Sequence, residues 1–461
     1  MSQPEQPLPA GGHNREALAL LEIEHTNVSA TTVRLLVAFF LIAIAAVPIA
    51  ELAYLRITAS AQQGGVPEDD SHEGIAVAWS HLSTVPEHVA AYTAAAGDSS
   101  AWDRTVAANR IVLTGLSGFE QALENESLIA RSLRPPAQLV MTGWLGAGNE
   151  RVYPGREQWL FYRQDVEYVT GPGFLDRATM RRRVGAAPAW MAPPQPDPRH
   201  AIAQFNDDLE ARGIQLVVMP TPVKPGVHPE KLARRYPDAT GVLQNPSYHG
   251  FIDGLRRSGV LVFDPSEALA VARRTGPQYL ATDTHWRPES MESVAELLAG
   301  VIASAGSSSL PATTDPGHRI ERLEVTNTGD VARMLDLPPG HALFAPESIW
   351  LRRVLQADGE PWRSTRDGDV LLIGDSFSNI YSLESMGWGT SAGFAEQLSY
   401  ALRRPIDRLV QNDQGAFATR EMLARDPGRL TGKRVVVYQF AARELAFGDW
   451  KAIAFQPPTE P

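Results

Sequence analysis

The sequence predicts an α/β protein: a parallel sheet covered by helices on both faces, preceded by one N-terminal transmembrane helix. Three observations carry that expectation. Short, nearly continuous apolar runs rich in β-branched residues recur at Ile214 to Met219, Val260 to Phe263, Val370 to Ile373 and Val435 to Tyr438, as strands buried on both faces require. Between them lie stretches with apolar residues at helical spacing, which is the alternation of a doubly covered sheet. Ahead of both, Leu35 to Leu55 read LLVAFFLIAIAAVPIAELAYL with Glu51 as the only charge, close to the ~20 apolar residues that cross a bilayer.

Composition narrows the possibilities. The chain has 461 residues, 44% of them hydrophobic and 21% charged, which supports a large core and excludes global disorder. A formal net charge of −11 argues against a nucleic-acid partner, because counterion release needs clustered Lys and Arg. The absence of cysteine excludes a disulfide scaffold, thiolate metal sites and cysteine nucleophiles.

Taken in order, residues 1–34 read as a cytoplasmic tail and 35–55 as a transmembrane signal anchor bracketed by Arg34 and Arg56. Pro48 is tolerable in a membrane helix, and Glu51 lies one turn from its far end, within reach of the headgroups. Ala59-Ser60-Ala61 resembles a small-residue cleavage site, so a removed signal peptide competes with the anchor. The long leading tail and long apolar run favour retention, with the body outside the inner membrane. Residues 56–144 form a periplasmic spacer and helical region. Within it Trp102, Val106, Leu113, Leu116, Phe119 and Leu123 predict an amphipathic helix, packed on its own unit or on a partner helix. Arg134-Pro135-Pro136 marks a break. Residues 145–461 form the body. There Ile202, Phe205 and Leu209 make one helix face and Gly213 its stop, Ile252 and Leu255 with Gly259 repeat the pattern, and the Pro-rich stretch 187–198 is a loop.

In open parallel sheets ligands bind beyond the carboxyl ends of the strands, so the residues just after the apolar runs matter. Val370 to Ile373 lead into Gly374-Asp375-Ser376-Phe377-Ser378-Asn379: a glycine for a sharp turn, an exposed serine, and a helix start whose N–H groups can face an oxyanion. The alternative makes Asp375 or Ser376 an ordinary helix cap. Asp283-Thr284-His285-Trp286 places a carboxylate and an imidazole two residues apart in a loop, before a helix opened by Pro288. A serine nucleophile needs a neutral histidine to take its proton and a carboxylate to orient that histidine, and Ser376, His285 and Asp283 supply those roles. Asp-x-His also suits a metal, but no third ligand stands at helpful spacing; no metal or other cofactor is expected. Lys224, in the Pro-rich loop after Met219, either holds an anionic substrate group or is a solvated lysine. Arg181-Arg182-Arg183 either guide an acidic polymer or form a solvated helix face.

Together these segments resemble the alginate O-acetyltransferase family of AlgJ/AlgX type. The resemblance runs from about residue 145 to 450 through Gly155-Arg156-Glu157-Gln158-Trp159-Leu160-Phe161-Tyr162 with Asp165 and Tyr168, the loop ending at Lys224 with Tyr236-Pro237, Asp283-Thr284-His285-Trp286, Gly374-Asp375-Ser376-Phe377, and Tyr438 to Leu445. It implies an SGNH-hydrolase-like domain in which Ser376 takes an acetyl group, His285 is the general base and Asp283 orients it. It also implies an exported polysaccharide as acceptor and a membrane-bound O-acyltransferase as donor partner. The order Asp-His before Ser fits this family rather than most SGNH hydrolases. Lys224, Arg443 and Asn379 are the candidate substrate-binding residues, and the backbone N–H of Ser376 is the expected oxyanion donor. An acetyl esterase with the same triad, and a non-catalytic polysaccharide-binding component in which Ser376 and His285 stand apart, are the alternatives.

Overall fold

The computed structural model describes residues 31–42, 74–95, 100–126, 128–186, 192–237, 241–305, 310–312, 314–412 and 415–455. The chain divides into two compact units, Met1–Leu133 and Arg134–Pro461.

In the first unit residues 31–42 are helical. Among the described residues no helix is long and apolar enough to cross a membrane; positions 43–55 of the expected anchor, and the spacer to residue 73, lie outside them. Three helices follow: α1 (Gly74–Ser83), α2 (Val85–Ala95) and α3 (Ala101–Glu126). The predicted amphipathic helix is α3, and it packs within its own unit. Glycine permits the approach, since a Cβ on Gly115 would lie 2.2 Å from Val85 Cγ2 and one on Gly118 2.8 Å from His81 Nδ1. Trp79 and Phe119 seal the contact with ring centroids 5.4 Å apart. The next helix, α4 (Leu128–Leu145), runs through Pro135 and Pro136. The break expected there coincides with the boundary between units but does not end a helix. The two prolines forgo bonds to the carbonyls one turn back, and the helix resumes beyond them.

In chain order the second unit holds the hairpin strands β1 (Val152–Pro154) and β2 (Leu160–Tyr162), helix α5 (Pro198–Glu210), strand β3 (Gln215–Thr221), helix α6 (Tyr248–Arg257), strand β4 (Leu261–Val262) and helix α7 (Pro288–Ala305). There follow strand β5 (Arg319–Asn327), the single turn α8 (Asp330–Arg333), strand β6 (Glu347–Leu355), strand β7 (Val370–Gly374), the single turn α9 (Ser376–Asn379), helix α10 (Phe394–Leu402), strand β8 (Asp407–Val410), helix α11 (Ala418–Arg425) and strand β9 (Val435–Ala441). Five strands form one sheet in the order β4-β3-β9-β7-β8. All its pairings are parallel, for example Val217 with Val437 across β3–β9 and Leu372 with Val437 across β7–β9.

Alternation along the strands builds a core on each face. Val217, Met219, Leu372 and Val437 point to one face, against Met291, Val294 and Leu298 of α7 and Phe394 and Leu398 of α10. Leu216, Val218, Leu371, Ile373 and Val436 point to the other, against Ile202 and Phe205 of α5, Phe251 and Ile252 of α6 and Leu423 of α11. The four predicted strands are all present. Gly213 and Gly259, the expected stops before β3 and β4, hold φ values of +68° and +82°, which glycine adopts without penalty. Pro288 opens α7 as expected. Asp197 caps α5, its Oδ1 accepting from the Arg199 N–H at 3.0 Å. Residues 192–197 of the Pro-rich stretch are irregular, and 187–191 lie outside the described residues. Edge strand β8 and the antiparallel pairs β1–β2 and β5–β6 are additions the sequence reading did not contain.

Candidate active site

The carboxyl edge of the sheet gathers the informative loops. At the end of β7 the chain turns into α9, and Asp375 is the residue that caps it, its Oδ1 accepting from the Phe377 N–H at 3.0 Å. Its Oδ2 accepts from the Ala441 N–H at 2.6 Å, which joins the tip of β7 to the end of β9. Gln439 completes the join: its amide donates to Asp375 Oδ1 and Thr221 Oγ1 and accepts from the Asp375 N–H and the Ser378 hydroxyl. The capping role thus falls to Asp375 and leaves the Ser376 hydroxyl uncommitted. Ser376 is the first helical residue, so its N–H has no intrahelical acceptor.

Into this position the loop 281–286 delivers His285. Its Nε2 lies 2.9 Å from Ser376 Oγ, and its Nδ1 lies 2.7 Å from Asp283 Oδ1. A carboxylate only accepts, so Nδ1 carries the proton and Nε2 is left to accept from the serine hydroxyl. His285 and Asp283 are both buried. Burial works to raise the Asp283 pKa, but the bond to His285, the imidazole's charge, the Asp330 N–H and the Trp388 indole hold it well below the usual range. Trp388 Nε1 donates to Asp283 Oδ2 at 2.9 Å, and the Asp330 N–H donates to the same oxygen at 3.0 Å. For His285 burial favours the neutral ring, yet the bond to Asp283 and the charges of Asp283 and Asp330 outweigh it and raise the pKa. Trp286 Nε1 donates to the Phe377 carbonyl at 3.1 Å, so histidine loop and serine turn are bonded beside the reacting pair.

The loop itself is held from three sides. Glu347, on β6, accepts from the Ala281 and Thr282 N–H groups at 2.9 and 2.8 Å and from the Thr282 hydroxyl at 2.6 Å. Asp330 accepts from the Thr284 N–H at 2.7 Å and from its hydroxyl. From beneath, Lys224 donates to the carbonyls of Leu160, Ala281 and Asp283. Lys224 is therefore neither a solvated lysine nor a group presented to an anionic substrate: it is fully buried, and its three donors are taken. Burial, opposed by the carboxylates of Glu347, Asp283, Asp330 and Asp165, brings its pKa down to about 8.

Arg443 follows β9. Its guanidinium donates to Asp165 Oδ1 at 3.1 Å and lies over the rings of Tyr162 and Phe377, 5.5 and 5.9 Å from their centroids. Together with Asp375 and Asn412 it lines a small cavity. Asn379 is half-buried at the end of α9 and donates to Asn412 Oδ1 at 2.8 Å, so both candidates stand near Ser376. The arginine run 181–183 is divided, for Arg183 donates to the Gly448 carbonyl at 2.6 Å while Arg181 and Arg182 are exposed.

Asp330 is the group that the spacing argument missed, since it lies 45 residues beyond His285 in the sequence. Its carboxylate, Asp283 and His285 bring three possible ligand atoms within 4.8 Å of one another. Both Asp283 oxygens already accept from the ring, the indole and two backbone amides, an arrangement built for orienting the imidazole rather than for a cation. Trp388 and Glu347 were missed for the same reason. The one local hint was Asp330 after Thr328-Gly329, an acidic residue at a helix start.

Comparison with known proteins places the chain in a family. Residues 152–442 match the family described as SGNH hydrolase-like domain, acetyltransferase AlgX. The probable alginate O-acetylase AlgJ of Pseudomonas aeruginosa is 28% identical over 243 residues, 52% of this chain and 61% of that protein; the match thus spans about three fifths of that relative's length. Its namesake from Pseudomonas putida is 26% identical over 310 residues, 65% of this chain and 71% of the relative. Among solved structures, the O-acetyltransferase domain of Pseudomonas putida AlgJ superposes with a TM-score of 0.48 at 24% identity, covering 64% of this chain and 92% of that domain. The matched span takes in every strand of the five-stranded sheet and each of Asp283, His285 and Ser376, and the chain belongs to the family of the SGNH hydrolase-like domain of the acetyltransferase AlgX.

Proposed function

We propose that this protein is an O-acetyltransferase that moves acetyl groups onto hydroxyls of an exported polysaccharide, with alginate the acceptor named for its relatives. The observation that carries the reading is the unbroken series of hydrogen bonds from Asp283 through His285 to Ser376. Ser376 Oγ attacks the carbonyl carbon of the acetyl donor while its proton passes to His285 Nε2. The resulting oxyanion faces the Ser376 N–H, and the donor's leaving oxygen departs with the proton from His285. An acetyl-serine remains. A sugar hydroxyl then attacks it, giving its proton to His285, and Ser376 is released when that proton returns. Asp283 stays ionised throughout and stabilises the imidazolium.

In this reading Arg443 and Asn379 border the acceptor, and a membrane-bound O-acyltransferase supplies acetyl. Residues 35–55 anchor the chain in the inner membrane with the domain in the periplasm, and the apolar sequence there supports that placement. The test is turnover of p-nitrophenyl acetate by the full chain and its Ser376→Ala variant, with mass spectrometry of the protein after exposure to the ester. We expect an acetylated Ser376 peptide and loss of turnover in a variant that still folds. Undiminished turnover by Ser376→Ala would remove the mechanism. Adding an oligosaccharide and weighing the products separates transfer from hydrolysis.

A further inference from the structure

We infer that Asp330 is a second positioning carboxylate for His285, one that locks the loop bearing it and stabilises the imidazolium formed when Ser376 gives up its proton. The inference rests on the reading of Ser376 and His285 as the reacting pair. Asp330 Oδ2 lies 3.9 Å from His285 Nδ1, and the Asp330 carboxylate takes both the N–H and the hydroxyl of Thr284, the residue between Asp283 and His285. The Asp330 N–H meanwhile donates to Asp283 Oδ2. One residue on a separate element thus holds the Asp-Thr-His segment at two points while presenting a negative charge to the ring.

Two carboxylates close together repel each other unless a cation stands between them. His285 provides that cation only when it holds the serine's proton. The resting neutral ring therefore leaves Asp283 and Asp330 in mutual repulsion, and proton transfer relieves it. Burial and the charge of Asp283 push the Asp330 pKa up to about 6, with His285 opposing. Other charged groups surround the ring. Arg443, from the end of β9, works against protonation of His285; Lys224, under the loop, is a neighbouring positive charge, and Glu347 and Asp165 are neighbouring carboxylates.

The consequence has a sign that a purely structural role does not share. The resting enzyme needs a neutral His285, and Asp330 favours its charged form. Replacing Asp330 by asparagine then lowers the His285 pKa and moves the acid limb of the kcat/KM profile to lower pH, by about one pH unit. On the plateau kcat falls, by about tenfold, with KM unchanged, because the forming imidazolium has lost a carboxylate.

The experiment compares pH profiles of p-nitrophenyl acetate turnover for the full chain, Asp330→Asn, Asp330→Glu and Ser376→Ala. Asp330→Glu, which keeps the charge, is expected to leave the acid limb close to that of the parent. A rate loss in Asp330→Asn with an unmoved acid limb, or no change at all, overturns the inference. If Asp330→Asn does not fold, a Thr284→Val variant keeps the charge and loses the hydroxyl bond. It must retain the parent's acid limb, and a shift equal to about one unit there would assign the effect to the hydroxyl instead. Full turnover by Ser376→Ala defeats the functional reading alone, since a 15N titration of His285 in the parent and Asp330→Asn still reads the charge of Asp330 without any catalysis.

Discussion

All three donors of Lys224 end on backbone carbonyls, and one of those belongs to Asp283. A lysine after a strand, among prolines, reads in the sequence as a projecting cation, because the sequence shows the loop but not what lies above it. The β1–β2 hairpin and the histidine loop lie over it and turn it inward. Its removal takes the side-chain donor from the Leu160 and Asp283 carbonyls, while the Ala281 carbonyl keeps the Leu160 N–H. Lys224→Met is expected to lower unfolding stability by about 3 kcal/mol and to depress ester turnover with it, measured by denaturant unfolding alongside kcat. That Asp283, His285 and Ser376 come together in one hydrogen-bonded series was legible because a short motif carried each. Asp330, Glu347 and Trp388 were not. They reach the loop from 45 to 105 positions away, and nothing local in their sequence announces a partner.

Among the elements, strands β3, β4, β7 and β9 were legible from unbroken apolar runs, and their helices from spacing and stop glycines. Strand β8 was hidden because its sequence Asp-Arg-Leu-Val opens on a carboxylate. Asp407 is nevertheless fully buried, held by Arg429 and by Lys433. The β5–β6 ribbon was hidden because its outer strand is mostly exposed and carries Arg and Glu in place of an apolar run. That ribbon leads into the turn that positions Asp330, and Gly329 is its tightest point. A Cβ there would stand 2.2 Å from the Thr282 carbonyl oxygen and 2.5 Å from the Asp283 nitrogen, so the histidine loop would have to move. Gly329→Ala is expected to cost about 2 kcal/mol of stability and to reduce turnover. Gly300→Ala, in α7 with open space around the new methyl, is the control and should be neutral or slightly stabilising. Equal behaviour of the two variants in unfolding would show that the close approach has no energetic weight.

At the scale of the whole chain, the hydrophobic clusters among the described residues all lie between Val152 and Phe455, inside the second unit. A fragment beginning at Arg134 places Pro135 and Pro136 in the first turn of its helix, where their missing N–H groups are of no consequence. Such a fragment is expected to unfold in one cooperative step and to retain turnover of a soluble acetyl ester. Loss of either property would show that the first unit completes the second. The sequence order of the sheet has a further consequence. Strand β9 lies between β3 and β7 and follows both in the chain. It pairs with both, so a lesion in this one strand reaches the half bearing the histidine loop and the half bearing the serine turn alike.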